Sequence, residues 1–226
     1  MTAASSHPPS LAGLARIGID ESGKGDYFGP LVIAAAFVAP DREDDLKLMN
    51  VRDSKKISDG VVLELARELR EVCPCSIVAI GPQKYNELYP KFRNLNRLLA
   101  WGHARALENL LETAPCEVAI ADQFGDERFV LSALQEKGKR VRLIQQPKAE
   151  ADLAVAAASI LARAEFLIRL KRLSDEIGTA LPKGASDKVE LAARMIVKKH
   201  GRDRLGTVAK LHFKTTQAVL AGMGKT

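Results

Sequence analysis

The chain has 226 residues, 46% of them hydrophobic, which suits a single folded domain with a sizeable core. Its formal net charge of +6 favours a polyanionic partner. No apolar run reaches the roughly eighteen residues of a membrane helix, and the opening "MTAASSHPPSLAG" has neither the basic start nor the apolar stretch of a signal peptide. Residues 1–14 read as a disordered leader and 15–226 as one domain. Cys73, Cys75 and Cys116 show no zinc spacing, so reduced thiols in a cytoplasmic protein are expected. With four scattered histidines, any metal here would be held by oxygen, as Mg2+ or Mn2+.

In chain order, "ARIGIDESG" predicts a strand running into a turn, and "PLVIAAAFVAP" a buried strand, the pair forming a hairpin across "SGKGDYFG". "SDGVVLELARELREV" carries apolar residues at helical spacing behind a Ser58 or Asp59 cap. "CSIVAIG" is a short strand, "NLNRLLAWGHARALENLLE" a long amphipathic helix with Trp101 in its core face, and "CEVAIAD" a strand ending at Asp122. Then come a helix over "RFVLSALQEKG", a strand over "RVRLIQQ", an Ala-rich helix over "ADLAVAAASILARAEFLIRLKRL" and a helix over "ASDKVELAARMIVKKHG", before a mixed basic tail. Strands alternating with helices imply an α/β fold with helices packed on a sheet.

"GIDESGKGD" invites two readings. As a phosphate loop it fails, because Gly25 follows Lys24 where a Ser or Thr hydroxyl is needed, and Asp20 and Glu21 would repel a phosphate. As a pair of strand-end carboxylates it finds company. Asp122 closes another apolar strand, and if the two strands are neighbours Asp20 and Asp122 sit together, with Glu21 pointing to the other face. Like charges so placed are usually compensated by a divalent cation. A fourth acid would come from the start of the Ala-rich helix, Glu150 or its competitor Asp152. Read singly, each acid could instead be a solvated end or a helix cap.

With these motifs in view, the chain resembles the type 2 ribonuclease H superfamily, and most of all the ribonuclease HIII family. "DESGKGDYFGP", "RDSKKIS", "NLNRLLAWGHARALENLL", "ADQF", "PKAEADLAVAAASILARAEFL", "LPKGAS" and "LGTVAKLHFKTTQ" are similar to that family's segments in the same order, from Arg16 to Gln217. The resemblance implies a ribonuclease-H-like fold, with a mixed central sheet flanked by helices and a helical C-terminal region. It implies endonucleolytic cleavage of the RNA strand in RNA–DNA hybrids by two-metal-ion hydrolysis, leaving 3′-hydroxyl and 5′-phosphate ends. It places catalysis and metal binding, by two Mg2+ or Mn2+ ions, on Asp20, Glu21, Asp122 and Glu150. Gly23, Lys24 and Gly25, with Ser22, would meet the ribose 2′-hydroxyls and a phosphate. Ser54, Lys55, Lys56, Asn94, Asn96 and Lys183, with Lys214 beside them, would be further substrate contacts. Tyr27 and Phe28 would pack on nucleic acid or in the core, and His103 is read as an ordinary helix histidine.

Two departures qualify the resemblance. The family ordinarily carries an N-terminal substrate-binding domain like the TATA-box-binding protein, whereas about fifteen residues precede the first motif here. In ribonuclease HII a Gly-Tyr tyrosine reads the DNA after a single ribonucleotide, whereas "GTALPKGASDK" has none. Hybrid cleavage is therefore expected, with incision at single embedded ribonucleotides as the alternative. A non-catalytic nucleic-acid-binding module and a P-loop protein are the competing classes. A cytoplasmic monomer is the expected state.

Overall fold

The computed structural model describes residues 11–52, 54, 57–123, 125, 126 and 128–222. Among them the chain forms a five-stranded sheet in the order β3-β2-β1-β4-β5. Its strands are β1 (Arg16–Ser22), β2 (Leu31–Val38), β3 (Cys75–Ile80), β4 (Val118–Asp122) and β5 (Arg142–Gln146). The β1–β2 and β2–β3 pairs are antiparallel, and β1–β4 and β4–β5 are parallel. The expected hairpin and mixed sheet are therefore present. The helices are α1 (Glu43–Leu48), α2 (Asp59–Val72), α3 (Pro82–Phe92), α4 (Leu95–Leu111), α5 (Arg128–Ala133), α6 (Leu153–Ile177), α7 (Asp187–His200), α8 (Arg202–Leu205) and α9 (Lys214–Gly222). None of the described helices is long and apolar enough to cross a membrane.

The two-residue period of β1 sorts its side chains between two cores. Ile17 and Ile19 join Leu98, Leu99 and Leu107 of α4 beneath one face of the sheet. On the other face, β2 residues Val32, Ala34, Ala36 and Val38 join α2, α6 and α7. There α6 lies against β1 so closely that a Cβ on Gly18 would stand 2.0 Å from the carbonyl carbon of Ala154. The alanines of α6 permit that approach, because each side chain is a single methyl group. The fold is thus three layers, with α4 and α6 on opposite sides of β1.

Local chemistry accounts for most boundaries. Ser58 caps α2 by accepting from Val61 N, and Asn94 caps α4 by accepting from Asn96 N. The helix expected over "RFVLSALQEKG" stops at Ala133 because Glu108 of α4 draws the next turn away. Its Oε1 accepts from Gln135 N at 2.7 Å and from Gly138 N at 2.9 Å. Helices α1 and α3 are additions to the expected order. In α1, whose six residues are mostly polar, Leu46 is the one buried apolar side chain. In α3, Pro82 begins the helix and Pro90 lies within it, so the segment resembles a loop in sequence. Leu11 to Leu14 form a turn closed by Leu14 N on Leu11 O, and residues 1–10 lie outside the described chain. The three cysteines are free thiols, as expected.

Two glycines test this packing. Gly18→Ala should destabilise the fold by ~3 kcal/mol or more, since backbone rather than a flexible side chain blocks the new methyl group. Gly60→Ala in α2, with nothing within 4 Å of its Cβ position, should stabilise by ~0.5–1 kcal/mol. Urea-denaturation midpoints of the two variants will show opposite shifts.

Candidate active site

The parallel register of β1 and β4 sets Ile17, Gly18 and Ile19 against Ala119, Ile120 and Ala121. One step further along each strand stand Asp20 and Asp122, side by side at the carboxyl edge of the sheet. Both lie on the α6 face, because Gly18 and Ile120, two residues earlier, pack on α6. Glu21 turns to the α4 face. The expectation that the two aspartates lie together, with Glu21 behind the strand, is met by this register.

Asp20 is held from two directions. Its Oδ1 accepts from Glu21 N at 2.8 Å, and the neighbouring Ser159 hydroxyl of α6 favours its ionised form. Ser159 in turn meets Ser54 Oγ at 2.8 Å. Burial, and then the neighbouring charge of Glu21, push the Asp20 carboxyl up to about 7. Glu21 goes the other way. Burial opposes its ionisation, but the hydrogen bond and charge of His103, with Lys24, outweigh it and hold the carboxyl below its ordinary range. His103 Nε2 lies 3.0 Å from Glu21 Oε2, and Lys24 Nζ lies 3.6 Å from Oε1.

The third and fourth acids are set by the turn that starts α6. Asp122 Oδ1 accepts from Ala149 N at 3.4 Å. Glu150 sits half-buried in the single 3₁₀ turn Ala149–Ala151. Asp152, its sequence competitor, is committed elsewhere. Its Oδ1 caps α6 through Ala154 N at 2.8 Å, and its Oδ2 takes Arg16 Nε at 2.7 Å. Among the described residues no three acidic, histidine or cysteine groups converge into a ready-made cage for an ion. The carboxylates are nonetheless the donors that Mg2+ or Mn2+ prefers. Asp20, disfavoured as an anion between burial and Glu21, is a group whose strain a cation would relieve. On these two grounds the residues fit a divalent ion.

Around the acids, the Gly23–Pro30 loop is clamped by remote segments. Tyr27 N donates to Gly184 O at 2.9 Å, Gly184 N to Asp26 Oδ1 at 2.6 Å, and Gly29 N to Val208 O at 2.9 Å. Lys210 is buried there and donates from Nζ to Gly29 O at 2.7 Å. Burial pushes its ammonium down to about 7, with Asp26 opposing. Gly23 has φ +86°, and a Cβ there would meet Pro30 O at 2.2 Å, so its lack of a side chain serves the turn. Gly25 is exposed with nothing within 4 Å of its Cβ position, leaving its backbone open to a ligand.

The other substrate contacts expected from the resemblance divide. Lys24, Asn94 and Asn96 are at least partly accessible, with Asn96 packed under Gly125 of the loop after Asp122. Ser22 is half-buried at the end of β1. Ser54 is buried on Ser159, so its hydroxyl points at the support of Asp20. Exposed Lys183 is tied to Asp59 Oδ2 at 2.6 Å. Asp59 also takes Arg163 Nη2 at 2.6 Å, and Arg163 Nη1 donates to the carbonyls of Ser54 and Ile57. Lys214 is exposed at the start of α9. Lys55 and Lys56 lie outside the described residues. Tyr27 and Phe28 are fully buried, which settles them in the core, where Tyr27 Oη meets Thr216 Oγ1 at 3.0 Å. Sequence reasoning passed over Ser159, Arg163 and Lys210, and read His103 as an ordinary helix histidine. The available signal was a polar residue on an otherwise apolar helix face, most plainly His103 between Leu99 and Leu107.

The raised carboxyl of Asp20 has a thermodynamic signature. Its folded value of about 7 exceeds the ordinary 3.8, so the unfolded chain releases this proton first. The stability tied to the protonated form is present below about pH 4 and lost as pH rises through 7. Without added divalent ions, Asp20→Asn should therefore melt higher than the parent at pH 8, and the gap should close toward pH 4. Each 1 kcal/mol of relief reads as ~2–4 °C in thermal denaturation.

Comparison with known proteins bears on the same arrangement. The model of the family described as Ribonuclease HII matches residues 17–216. Ribonuclease HIII of Protochlamydia amoebophila is 48% identical over 221 residues, covering 97% of this chain and 73% of that protein. Ribonuclease HIII of Chlamydia pneumoniae is 46% identical over 211 residues, covering 92% of this chain and 70% of that protein. The crystal structure of Bst-RNase HIII in complex with Mn2+ superposes with a TM-score of 0.88 at 35% identity, covering 98% of this chain and 76% of that one. The chain belongs to the ribonuclease HII family, on the branch of the ribonucleases HIII.

Proposed function

We propose that the chain hydrolyses the RNA strand of RNA–DNA hybrids, with Asp20, Glu21, Asp122 and Glu150 as its catalytic and metal-holding residues. The observation that carries this reading is the register bringing Asp20 and Asp122 together at the ends of adjacent parallel strands. When bound, two Mg2+ or Mn2+ ions would activate a water molecule and stabilise the leaving 3′-oxygen, giving 3′-hydroxyl and 5′-phosphate ends. The chain's own contribution is to hold carboxylates, place the substrate and keep the reacting edge rigid. Asp20 is steadied by Ser159 and by Glu21 N, and Asp122 by Ala149 N.

Substrate would be placed by the loop after β1. The exposed backbone of Gly25 can approach a ribose closely, and the 2′-hydroxyl is the group that separates RNA from DNA. Ser22, Gly23 and Lys24 belong to the same contact, and Asn94, Asn96, Lys55, Lys56 and Lys183 extend it along the backbone. Ser54 and Asp59 act from behind, Ser54 on Ser159 and Asp59 on Lys183. Phosphate contacts by lysines make binding salt-dependent. The protein would work as a monomer in the cytoplasm.

An end-labelled hybrid and a duplex with one embedded ribonucleotide, incubated with Mg2+ or Mn2+, test this reading. Hybrid cleavage with weak single-ribonucleotide incision is expected, and Asp20→Asn or Asp122→Asn should reduce it more than the ~10–100-fold that changes outside the ligand set typically produce. Equal nicking of the second substrate would reassign the chain to ribonuclease HII-type specificity. Binding that survives chelation, with no cleavage in either metal, would leave a binding module instead.

The choice of fourth acid has its own test. Glu150→Gln should abolish cleavage with little change in melting temperature. Asp152→Asn should instead cost ~3 kcal/mol or more of stability, since it keeps the cap but removes the charge that buried Arg16 pairs with. The reverse pattern in cleavage and denaturation would move the ligand to Asp152.

A further inference from the structure

We propose that His103 is a positioning residue for the metal site, holding the Glu21 carboxylate in place through one hydrogen bond from α4. The inference rests on the reading of Glu21 as a metal ligand and adds a residue from a different layer of the fold.

Three observations carry it. First, His103 occupies a position built for a hydrocarbon. It falls four residues after Leu99 and four before Leu107 on the sheet-facing side of α4, and it is 0% exposed. A buried imidazole is costly unless it is hydrogen-bonded, and its Nε2 is 3.0 Å from Glu21 Oε2. Second, the backbone brings α4 to that carboxylate. Glu21 pairs with Ile33 across the hairpin, and Gly102, next to His103, lies on the Ile33 side chain, where a Cβ would stand 2.6 Å from Cδ1. Without a side chain at 102 the helix can seat directly behind Glu21. Third, the two carboxylate oxygens are used differently. His103 takes Oε2, while Oε1 faces the Lys24 ammonium at 3.6 Å. The imidazole thus fixes one oxygen and turns the other toward positive charge.

A Glu side chain has three rotatable torsions, and immobilising it at a strand end costs conformational entropy. A hydrogen bond from a residue locked in the core meets that cost during folding, before any ion arrives. Outer partners of metal-ligating groups act in this way, and their loss typically weakens affinity or activity ~10–100-fold.

The test compares His103→Leu, which removes the donor and keeps an apolar fit, with His103→Gln, whose amide can donate to the same oxygen. Mn2+ binding is read without substrate, from the electron paramagnetic resonance signal of free Mn2+, beside kcat and KM on a hybrid. His103→Leu should weaken Mn2+ binding and kcat ~10–100-fold while KM for the hybrid changes little, and His103→Gln should recover most of both. In a Glu21→Gln background, His103→Leu should add no further loss. Wild-type Mn2+ affinity and kcat in His103→Leu would overturn the proposal, as would a His103→Gln variant impaired as deeply. If the leucine variant does not fold, His103→Met against His103→Gln gives the same comparison. Glu21→Gln that binds Mn2+ and cleaves like the parent would instead sink the reading of the metal site itself.

Discussion

The seating of α6 on β1 governs the rest of the molecule. Three same-face residues of β1 meet successive parts of α6 and its first turn. Arg16 binds Asp152, Gly18 lies against the Ala154 backbone, and Asp20 stands beside Ser159, whose hydroxyl favours its ionised form. A strand rises about 3.3 Å per residue and a helix 1.5 Å, so four strand steps match roughly nine helical ones. The seven-residue span from Asp152 to Ser159 is near that match. The absent side chain at Gly18 lets the flanking polar pairs close. A larger residue there would lift α6 and part both pairs, which couples a packing constraint to the placement of a catalytic candidate.

The two ends of that contact treat buried charge in opposite ways. At the amino end, Arg16 is shared between Glu43 at 2.5 Å and Asp152 at 2.7 Å, so each carboxylate has a cation within hydrogen-bond reach. Burial works against Glu43 ionising, yet Arg16 and the Gly13 N–H hold its carboxyl below the usual range. At the carboxyl end, Asp20 has a hydroxyl, a backbone N–H and the charge of Glu21 beside it, and its carboxyl rises to about 7. The first end stabilises the fold. The second leaves an anion under-compensated at the sheet edge, a pattern more often found at functional sites than in structural ion networks.

How much of this could be read from the chain follows from the range of the deciding contacts. The strands and α2, α4 and α6 were legible because their signals are local, in apolar runs, helical spacing and, for α2, the Ser58 cap. The pairing of Asp20 with Asp122 was legible because each ends an apolar strand. Three features were not. Helix α3 hides behind Pro82 and Pro90, which read as breakers in isolation. The claims of Glu150 and Asp152, two residues apart, are separated by Arg16, which lies 136 residues from Asp152. His103 looks like any core histidine until Glu21, 82 residues away, is placed at its Nε2.

Rigidity around the site comes from tertiary clamps, because the loops themselves have little internal bonding. The Gly23–Pro30 segment is tied to Gly184, to Val208 and to Lys210, three points far along the chain. The segment after β2 is tied by Arg163 and by the Ser54–Ser159 pair, both anchored on α6. Asp59 then links Arg163 to Lys183. Of the residues proposed to touch substrate, Lys183 thus connects through Asp59 to the helix that seats Asp20, whereas the Gly23–Pro30 loop is held by segments that follow it. Reading a ribose hydroxyl by backbone atoms demands sub-ångström placement, since a displaced glycine loop has no side chain with which to compensate. The sheet edge carries the acids, and α6 carries Ser159 beside Asp20 together with Arg163, which holds the Ile57 carbonyl, so a shift of that helix moves the acids' support and one of the two clamps together.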